Sequence, residues 1–446
     1  MVIFLMAAAF LLFYLEFLHW LTIFAWYGWI FSVMYSVLWI VVWTWIVYPL
    51  LIVQKSSWSQ IFALSFSFAA LEVFLSLGPL AFPWIELGYS QWKFLPVVQI
   101  TSLIGVVGLS FLIFLCGQLL FQGIREKRLL YIFLGILCFF IPAAYGAVRL
   151  REKPSQKTLS AALIQTNDSE SLKWSTRAFK SSLVELNDLI LKASQSHPDL
   201  IILPETAVAG YLNRDPVLQD LVRKWAQRTR TYLMVGTLLD KDGSPENALV
   251  LVKPDGFWRQ KYIKVRLVPF GEYVPGFFER FKNFFPVLRG LVNFKAGKKF
   301  NVLNFPEGKF GAMICFESSF GWISRKFTKN GAKFLVVSSN DAWFEGTPAQ
   351  QIHASMAVFR AVENKRSFIQ VGNTGISCSV DPFGKILVWQ RPETKAVVLT
   401  KIPLESGLTV YDLIGRLLPY FWIIGFLFCA ISYALKSRGF KAKTNE

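Results

Sequence analysis

Long apolar stretches occupy both ends of the chain, and sequence of ordinary mixed character lies between them. A helix needs about 20 mostly apolar residues to cross a bilayer. By that length, the sequence predicts six membrane-spanning helices, at Val2–Trp20, Ile30–Val53, Ile61–Leu80, Val97–Leu120, Leu129–Ala147 and Leu417–Leu435. We therefore expect transmembrane helices over residues 1–148, an aqueous domain over residues 149–412, and a last span with a basic tail over residues 413–446.

The middle region alternates short apolar runs with helical patterns. Strands buried on both faces of a sheet read as continuous runs of Val, Ile and Leu. Seven such runs predict strands at Leu159–Gln165, Leu200–Pro204, Tyr232–Leu239, Ala248–Lys253, Phe310–Cys315, Phe334–Ser339 and Ser367–Gly372. Helices are predicted over Trp174–Gln195, where apolar residues recur along one face, and over Gln350–Arg366. The expected result is a layered α/β domain of about 260 residues, large enough for its own core.

Lysine and arginine are unevenly distributed among the short loops between the predicted spans. The loops after spans two and four and the C-terminal tail contain Lys55, Arg125, Lys127, Arg128, Lys436, Arg438, Lys441 and Lys443. The short loops on the opposite side contain only Lys93. Under the positive-inside rule, both termini are expected in the cytoplasm and the middle domain outside it, which in a bacterium is the periplasmic face.

Composition supports a membrane protein and narrows its chemistry. The 446 residues are 54% hydrophobic and only 17% charged, which is too apolar for an ordinary soluble chain. The net charge of +18 is explained more simply by contact with anionic lipid than by contact with nucleic acid, so no nucleic-acid partner is expected. Five cysteines without a CxxC pair, and only three histidines, disfavour a disulfide scaffold and a zinc site. No motif implies a metal or an organic cofactor.

Three reactive residues lie near the ends of predicted strands or in a short polar segment. Glu205 follows the run Leu200–Pro204, Cys315 closes the run Phe310–Cys315, and Lys264 ends the segment Lys261–Lys264. An ammonium lowers the pKa of a thiol, and a carboxylate can take the thiol proton. A lysine and the backbone N–H after the cysteine can stabilise an oxyanion, and the acid can return its proton to the leaving group. These parts suit acyl transfer through a thioester.

Each of these residues also has a simpler interpretation. Cys315 could be a small core hydrophobe, Glu205 a helix-starting residue and Lys264 a solvated hairpin lysine. A Cys–His pair with His353 as the base is a competing catalytic arrangement. A disulfide between Cys315 and Cys378 is a further alternative in a periplasmic domain.

The same residues carry a resemblance to a known family. Leu-Pro-Glu205, Lys264 followed by Leu-Val-Pro-Phe-Gly-Glu272, and Ile-Cys315-Phe-Glu resemble the nitrilase (carbon–nitrogen hydrolase) superfamily with its Glu-Lys-Cys triad. Within it, the chain resembles the apolipoprotein N-acyltransferase family at Phe82–Gln91, Ser171–Trp174, Val268–Pro275, Ser339–Phe344 and Asn373–Ile376. The resemblance covers nearly the whole chain. It implies a multi-span α-helical membrane domain and a nitrilase-like α-β-β-α sandwich.

The resemblance implies a multi-pass inner-membrane acyltransferase of bacterial lipoprotein biosynthesis, with its catalytic domain in the periplasm. Its cysteine takes an acyl chain from a phospholipid, typically phosphatidylethanolamine, and the thioester acylates the N-terminal amine of the diacylglyceryl-cysteine of apolipoproteins in a ping-pong reaction. Carried over, Cys315 is the nucleophile, Glu205 the general base and acid, Lys264 the oxyanion stabiliser, and Glu272 a further acid that orients the lysine. The positions tied to substrate handling or pocket architecture are Trp174, Asn247, Phe316, Glu317 and Trp343.

The chain departs from the family pattern at three points. Eight spans are usual and six are predicted here, with the first two missing, so a mis-set start codon or a shorter variant is expected. Phe316 replaces a frequent tyrosine, and Thr166 replaces the usual glycine at the end of the first strand. Two rival functions remain, a membrane-tethered nitrilase-type amidase and a catalytically silent membrane scaffold.

Overall fold

The computed structural model describes residues 1–23, 26–51, 57–168, 176–280 and 292–443. The chain divides into two units, residues 1–151 with 413–446 and residues 152–412. The first unit is helical, and the second contains two β-sheets with flanking helices. The predicted fold class, a helical membrane domain with an α/β domain, is confirmed.

The helices of the first unit are mostly long and apolar. They are α1 (Val2–Phe17), α2 (Trp26–Leu51), α3 (Trp58–Leu75), α4 (Leu95–Val98), α5 (Thr101–Arg125), α6 (Leu129–Arg149) and a C-terminal helix (Leu418–Lys443). Among the described residues, the segments long and apolar enough to cross a membrane are Trp26–Leu51, Trp58–Leu75, Thr101–Arg125, Leu129–Arg149 and Leu418–Leu435.

The first predicted span, Val2–Trp20, is shorter in the structure. Helix α1 has 16 residues and is therefore about 24 Å long, less than the ~30 Å of a hydrocarbon core. The chain then forms a 3₁₀ helix over His19–Ile23. There the Thr22 hydroxyl donates to the carbonyl of His19 at 2.8 Å, a local bond that competes with a continued α-helix. The described residues thus contain five full-length spans where the sequence predicted six.

Helix α3 lies at the centre of the first unit. It packs against α2, α5 and the C-terminal helix, and Ile61 and Ala69 on it are fully buried. Large apolar side chains on neighbouring helices remain exposed, among them Trp45, Leu129 and Phe428. Exposed apolar surface of this extent is typical of a protein that contacts lipid.

The segment Phe82–Gln91 folds back onto these helices through polar bonds. The Leu87 N–H donates to the Glu72 carboxylate at 2.7 Å, and the Gly88 N–H donates to the Ser110 hydroxyl at 2.8 Å. Glu72 is buried within α3. A buried polar group is tolerated when it is hydrogen-bonded, so this acid has a structural role in anchoring the segment.

The second unit is built from two sheets. Its strands are β1 (Thr158–Gln165), β2 (Leu200–Ile202), β3 (Val208–Tyr211), β4 (Tyr232–Lys241), β5 (Ser244–Val252), β6 (Trp258–Ile263), β7 (Leu303–Phe305), β8 (Gly308–Ile314), β9 (Phe334–Ser339), β10 (Ser367–Gly372), β11 (Cys378–Val380), β12 (Ile386–Trp389) and β13 (Ala396–Pro403). One sheet has the order β13-β1-β2-β4-β5-β6 with β3 beside β4, and the other has the order β12-β11-β10-β9-β8-β7.

Helices cover the two sheets. The described helices of this unit are α7 (Thr176–Ser194), α8 (Pro216–Thr229), α9 (Gly276–Glu279), α10 (Gly321–Lys329), α11 (Ala349–Asn364) and α12 (Val410–Ile414). Ile190 of α7 and Trp225 of α8 are fully buried against the first sheet. Helices α10 and α11 pack on the second sheet, and β1 and β5 contact β10 and β8 between the sheets. The layers are therefore α-β-β-α.

The centre of each sheet is parallel. Strands β1, β2 and β4 run parallel in the first sheet, and β8, β9 and β10 run parallel in the second. Within each sheet, the carboxyl ends of the parallel strands meet at one edge. The Ser338 hydroxyl on β9 donates to the Leu203 carbonyl just after β2 at 2.9 Å, so these edges of the two sheets lie together. They hold the candidate site.

Candidate active site

Glu205 follows β2 in a loop that lies close to a neighbouring strand. The Leu203 N–H donates to the carbonyl of Met234 at 2.9 Å, which holds the start of the loop beside β4. A Cβ atom at Gly236 would lie only 2.1 Å from the carbonyl oxygen of Pro204 and 2.9 Å from the Cα of Glu205. Glycine at this position therefore allows the loop to place the Glu205 side chain, which is buried.

Lys264 directly follows β6 and points into the protein. Its backbone N–H donates to the carbonyl of Asn247 on β5 at 2.9 Å, and solvent reaches only 1% of its side chain. Its Nζ lies 2.9 Å from Glu272 Oε1 and 3.3 Å from Glu205 Oε1. The interpretation of Lys264 as a solvated hairpin residue is therefore wrong.

The two carboxylates beside the lysine are held by further hydrogen bonds. Asn247 Nδ2 donates to Glu205 Oε1 at 2.7 Å and to Glu272 Oε1 at 3.0 Å. The other oxygen of Glu205 accepts from the Asn340 N–H at 2.8 Å, and the other oxygen of Glu272 accepts from the Val268 N–H at 2.8 Å. Each carboxylate is thus fixed in orientation by donors on both oxygens.

The charge of Lys264 is retained despite its burial. Burial alone would strongly lower the pKa of this ammonium. The Glu205 and Glu272 carboxylates, together with Cys315, outweigh that effect and raise the pKa of Lys264 above its ordinary value. The site therefore holds a permanent cation next to the candidate base.

Cys315 follows β8 at a sharp turn into the 3₁₀ helix Cys315–Ser319. Its φ of +49° lies in the left-handed region, which is strained for a residue with a side chain. Its side chain remains partly exposed. Loss of water around the thiol, followed by the charge of Glu205, raises the pKa of Cys315 well above its ordinary value, although Lys264 opposes this. The ammonium alone would lower this pKa, but burial and the carboxylate prevail, so the resting residue is a thiol that needs a base.

Two alternative interpretations of Cys315 are settled by the geometry. Cys315 and Cys378 each have a free thiol, so they do not form a disulfide. His353 lies next to the nucleophile, but its Nε2 is 2.8 Å from the Ser318 hydroxyl and 3.2 Å from the carbonyl oxygen of Cys315. Its Nδ1 is 3.0 Å from Asp341 Oδ1. Both ring nitrogens are engaged by these partners, so the imidazole is not placed as the base.

Glu317 connects the loop of the lysine to the loop of the cysteine. Its Oε1 accepts from the Tyr262 hydroxyl at 2.7 Å and from the N–H groups of Val265 and Arg266 at 2.7 and 3.0 Å. Its Oε2 accepts from the Ile314 N–H at 2.9 Å. Fully buried, Glu317 supports the architecture of the pocket.

Other predicted residues differ in their surroundings. Phe316 is buried, and its ring meets that of Phe320 edge-on at a centroid distance of 5.0 Å. Trp343 is 46% exposed at the surface of the second unit. Trp174, with the segment Ser171–Trp174, lies outside the described residues.

The structure adds a polar network that the sequence did not assign to the site. Asn373 Nδ2 donates to Asn340 Oδ1 at 2.7 Å, and the Thr166 hydroxyl donates to Asn373 Oδ1 at 2.6 Å. Asn340 in turn donates its backbone N–H to Glu205. The signal was present in the sequence as polar residues directly after β9 and β10, two parallel strands in the same sheet as β8.

Comparison with known proteins gives matches along most of the chain. Residues 2–119 match the model of the apolipoprotein N-acyltransferase N-terminal domain, and residues 160–408 match that of the carbon-nitrogen hydrolase family. An apolipoprotein N-acyltransferase of Geobacter metallireducens is 32% identical over 381 residues, which cover 81% of this chain and 73% of that protein. One from Haemophilus influenzae is 31% identical over 76% of this chain and 68% of its own length. The crystal structure of a carbon-nitrogen hydrolase from Helicobacter pylori G27 is 18% identical, with a TM-score of 0.43 over 60% of this chain and 94% of that chain.

Proposed function

This chain belongs to the apolipoprotein N-acyltransferase family and is an acyltransferase, and from that premise we propose that it moves an acyl chain from a phospholipid through Cys315 to the N-terminal amine of diacylated lipoproteins. The buried contact of Lys264 with both Glu205 and Glu272 carries the assignment of residues, and the charges of Glu205 and Lys264 both act on the pKa of Cys315. A nitrilase-type amidase shares the triad but is less well supported, because residues 2–119 match the acyltransferase domain. The donor that we propose is phosphatidylethanolamine-like.

In the first half-reaction, Glu205 takes the thiol proton as Cys315 Sγ attacks the ester carbonyl carbon of the phospholipid. A C–S bond forms and the carbonyl π electrons move to oxygen, where Lys264 Nζ and the backbone N–H after Cys315 stabilise the charge. Collapse of this intermediate breaks the C–O bond. The leaving lysophospholipid oxygen takes the proton from Glu205, and the acyl chain remains on sulfur as a thioester.

In the second half-reaction, the uncharged N-terminal amine of the lipoprotein attacks the thioester carbonyl. Glu205 accepts a proton from the amine, a C–N bond forms, and the C–S bond breaks to give an amide and the Cys315 thiolate. The proton on Glu205 then returns to the sulfur. One base therefore serves both half-reactions, as a ping-pong reaction requires.

The supporting residues divide into two groups. Glu272 and Asn247 orient Lys264 and Glu205 through the hydrogen bonds described above, and Glu317 holds the two loops together. We assign substrate handling to the aromatic residues Phe316 and Trp343, and to Trp174 on the resemblance alone. Aromatic side chains offer apolar surface to an acyl chain.

We further propose an inner-membrane location, with membrane segments at residues 1–148 and 413–446 and the catalytic domain, residues 149–412, in the periplasm. The five long apolar helices support the membrane association, and the lysines and arginines of the short loops support the orientation. Both substrates are anchored in lipid, so an enzyme that joins them benefits from the same location.

A transfer assay tests this function. The detergent-purified chain is incubated with phosphatidylethanolamine labelled in its acyl chain and with a diacylated lipopeptide. We expect label on the lipopeptide amine and one lysophospholipid per transfer, abolished by Cys315→Ala and retained in Cys378→Ala, which removes a buried cysteine of the same domain. Label released only as free fatty acid would support the hydrolase instead. No release by a folded chain would support the silent scaffold.

A further inference from the structure

A buried ion pair lies beside the nucleophile and has no part in the reaction described so far. His353 on α11 and Asp341, in the turn after β9, are both fully buried. His353 Nδ1 lies 3.0 Å from Asp341 Oδ1. Burying two ionisable groups costs free energy unless they pair with each other and form hydrogen bonds with their neighbours. The contacts of this pair therefore indicate its role.

The contacts of the imidazole fix its protonation state. A backbone carbonyl has no proton, so His353 Nε2 must donate to the Cys315 oxygen that lies 3.2 Å away. The Ser318 hydroxyl donates to the same carbonyl at 3.0 Å and can therefore accept from Nε2. A carboxylate oxygen has only lone pairs, so Asp341 Oδ1 is the acceptor for Nδ1 as it is for the Ser339 hydroxyl. We therefore assign the imidazole as a donor at both ring nitrogens.

The pKa agrees with this count of protons. Burial alone would lower the pKa of His353, but the charge and hydrogen bond of Asp341, with the Cys315 carbonyl, raise it above its ordinary value. A Cβ atom at Gly375 would lie 2.3 Å from Asp341 Oδ2, so glycine leaves the space that this carboxylate occupies.

The bond to the Cys315 carbonyl has a geometric consequence for the reaction. A peptide unit is planar and trans, so its C=O and the following N–H point in opposite directions. Fixing the carbonyl of Cys315 on the His353 side therefore fixes the direction of the Phe316 N–H. That N–H is the backbone donor assigned above to the oxyanion. The strained φ of Cys315 makes such a restraint useful, because an unrestrained peptide would relax.

We propose that the His353–Asp341 ion pair is a positioning device that holds the Cys315–Phe316 peptide so that its N–H faces the oxyanion. This inference rests on the proposed thioester chemistry of Cys315. His353 acts through the peptide and exchanges no proton with the substrate. Its contribution is therefore confined to reactions at Cys315 that develop an oxyanion.

Two reactions of the same thiol separate this role from a general structural one. Attack on p-nitrophenyl butyrate forms a tetrahedral oxyanion, whereas alkylation by iodoacetamide displaces iodide at a saturated carbon and forms none. We expect Asp341→Asn and His353→Gln to slow acylation of Cys315 by about 10- to 100-fold. Alkylation should not slow by more than about threefold, since Glu205 is retained and loss of the Asp341 charge, which raises the pKa of Cys315, would favour the thiolate.

Controls keep the outcome interpretable. Ser355→Ala changes a buried residue of the same helix whose hydroxyl donates within the helix, to Ile352, and we expect it to leave both rates unchanged. Asp341→Asn preserves side-chain size if the histidine variant fails to fold, and thermal unfolding in detergent establishes the fold of each. Because the ester is not a lipid, failure to accept phospholipid would not affect this test. Equal losses in both reactions, unchanged acylation in the folded variants, or no acylation of the unmodified chain would each overturn the proposal.

Discussion

The ammonium nitrogen of Lys264 lies 2.9 Å from a carboxylate oxygen of Glu272, and both side chains are largely shielded from solvent. Glu205 is the second carboxylate on the same ammonium, at 3.3 Å. Lys264 therefore forms ion pairs with two acids, Glu205, which we assign to proton transfer, and Glu272, which we assign to orientation. These two contacts fix the position of the ammonium.

Neutralising the orienting acid should displace the lysine. In Glu272→Gln, the Lys264 ammonium loses the carboxylate at 2.9 Å and pairs with Glu205 alone, so it should leave the position in which it stabilises the oxyanion. We expect acylation of Cys315 to slow by about 10- to 100-fold, measured as the rate of lysophospholipid release.

The control for this substitution lies in the strand that carries Asn247. Glu246 on β5 is also buried but pairs with Lys241 at 3.6 Å, and successive strand residues point to opposite faces. Glu246→Gln should leave the rate within about twofold of the unmodified chain. Equal effects of the two substitutions would contradict the assigned role of Glu272.

Glycine at position 236 is required by the close approach of the Glu205 loop. In Gly236→Ala, the added methyl group would lie 2.1 Å from the Pro204 carbonyl, a backbone atom that can move only with its loop. We expect about a 100-fold loss of acyl transfer, since a displacement of about 1 Å at a reacting group has this effect. In Gly276→Ala, the methyl group would enter open space, and activity should persist. Full activity of folded Gly236→Ala would show that the loop tolerates the shift.

The buried carboxyl of Glu317 should make stability depend on pH. Burial, only partly offset by its hydrogen bonds, raises the pKa of Glu317 from 4.5 to about 7. Between these pH values the folded chain keeps a proton that the unfolded chain has released. The free energy of unfolding should therefore fall as the pH rises through this range, by about 3 kcal/mol from this group.

Two substitutions test this assignment by thermal unfolding at pH 5 and pH 8. Glu317→Gln removes the titratable group and places an amide N–H against the Ile314 N–H, so that two donors face each other. The variant should therefore be less stable than the unmodified chain at pH 5. This difference in stability should be smaller at pH 8. Tyr262→Phe removes a donor to the carboxylate, so stability should fall more steeply with pH. A deficit of Glu317→Gln that does not change with pH would contradict the assignment.

The sequence predicted the buried parallel strands well because strands that are covered on both faces appear as continuous apolar runs. Strands β9 and β10 have the predicted bounds. It did not predict β6, whose alternation of polar residues reflects a strand with one face exposed near the sheet edge. Lys264 follows that strand, and the polar residues before it make this buried lysine resemble a solvent-exposed one.

The resemblance predicted the triad together with Glu272 and Asn247, but not the other side chains that contact it. Asn340 and Asp341 were part of a matched segment, yet their roles depend on the meeting of β8 and β9, which no local pattern reveals. In the sequence, His353 is a candidate base only because Cys–His pairs are common in catalysis. Its actual contacts, to a carboxylate and a carbonyl, follow from the packing of α11 against the turn at Cys315.

The most direct test of the central claim is the intact mass of the purified chain after mixing with phosphatidylethanolamine alone, followed by addition of a diacylated lipopeptide. We predict a mass increase of one acyl group, mapped to Cys315 and absent in Cys315→Ala, that disappears as the lipopeptide gains the same mass on its amine. An acyl group on another residue, or one lost to water at the same rate with and without the lipopeptide, would contradict acyl transfer through Cys315.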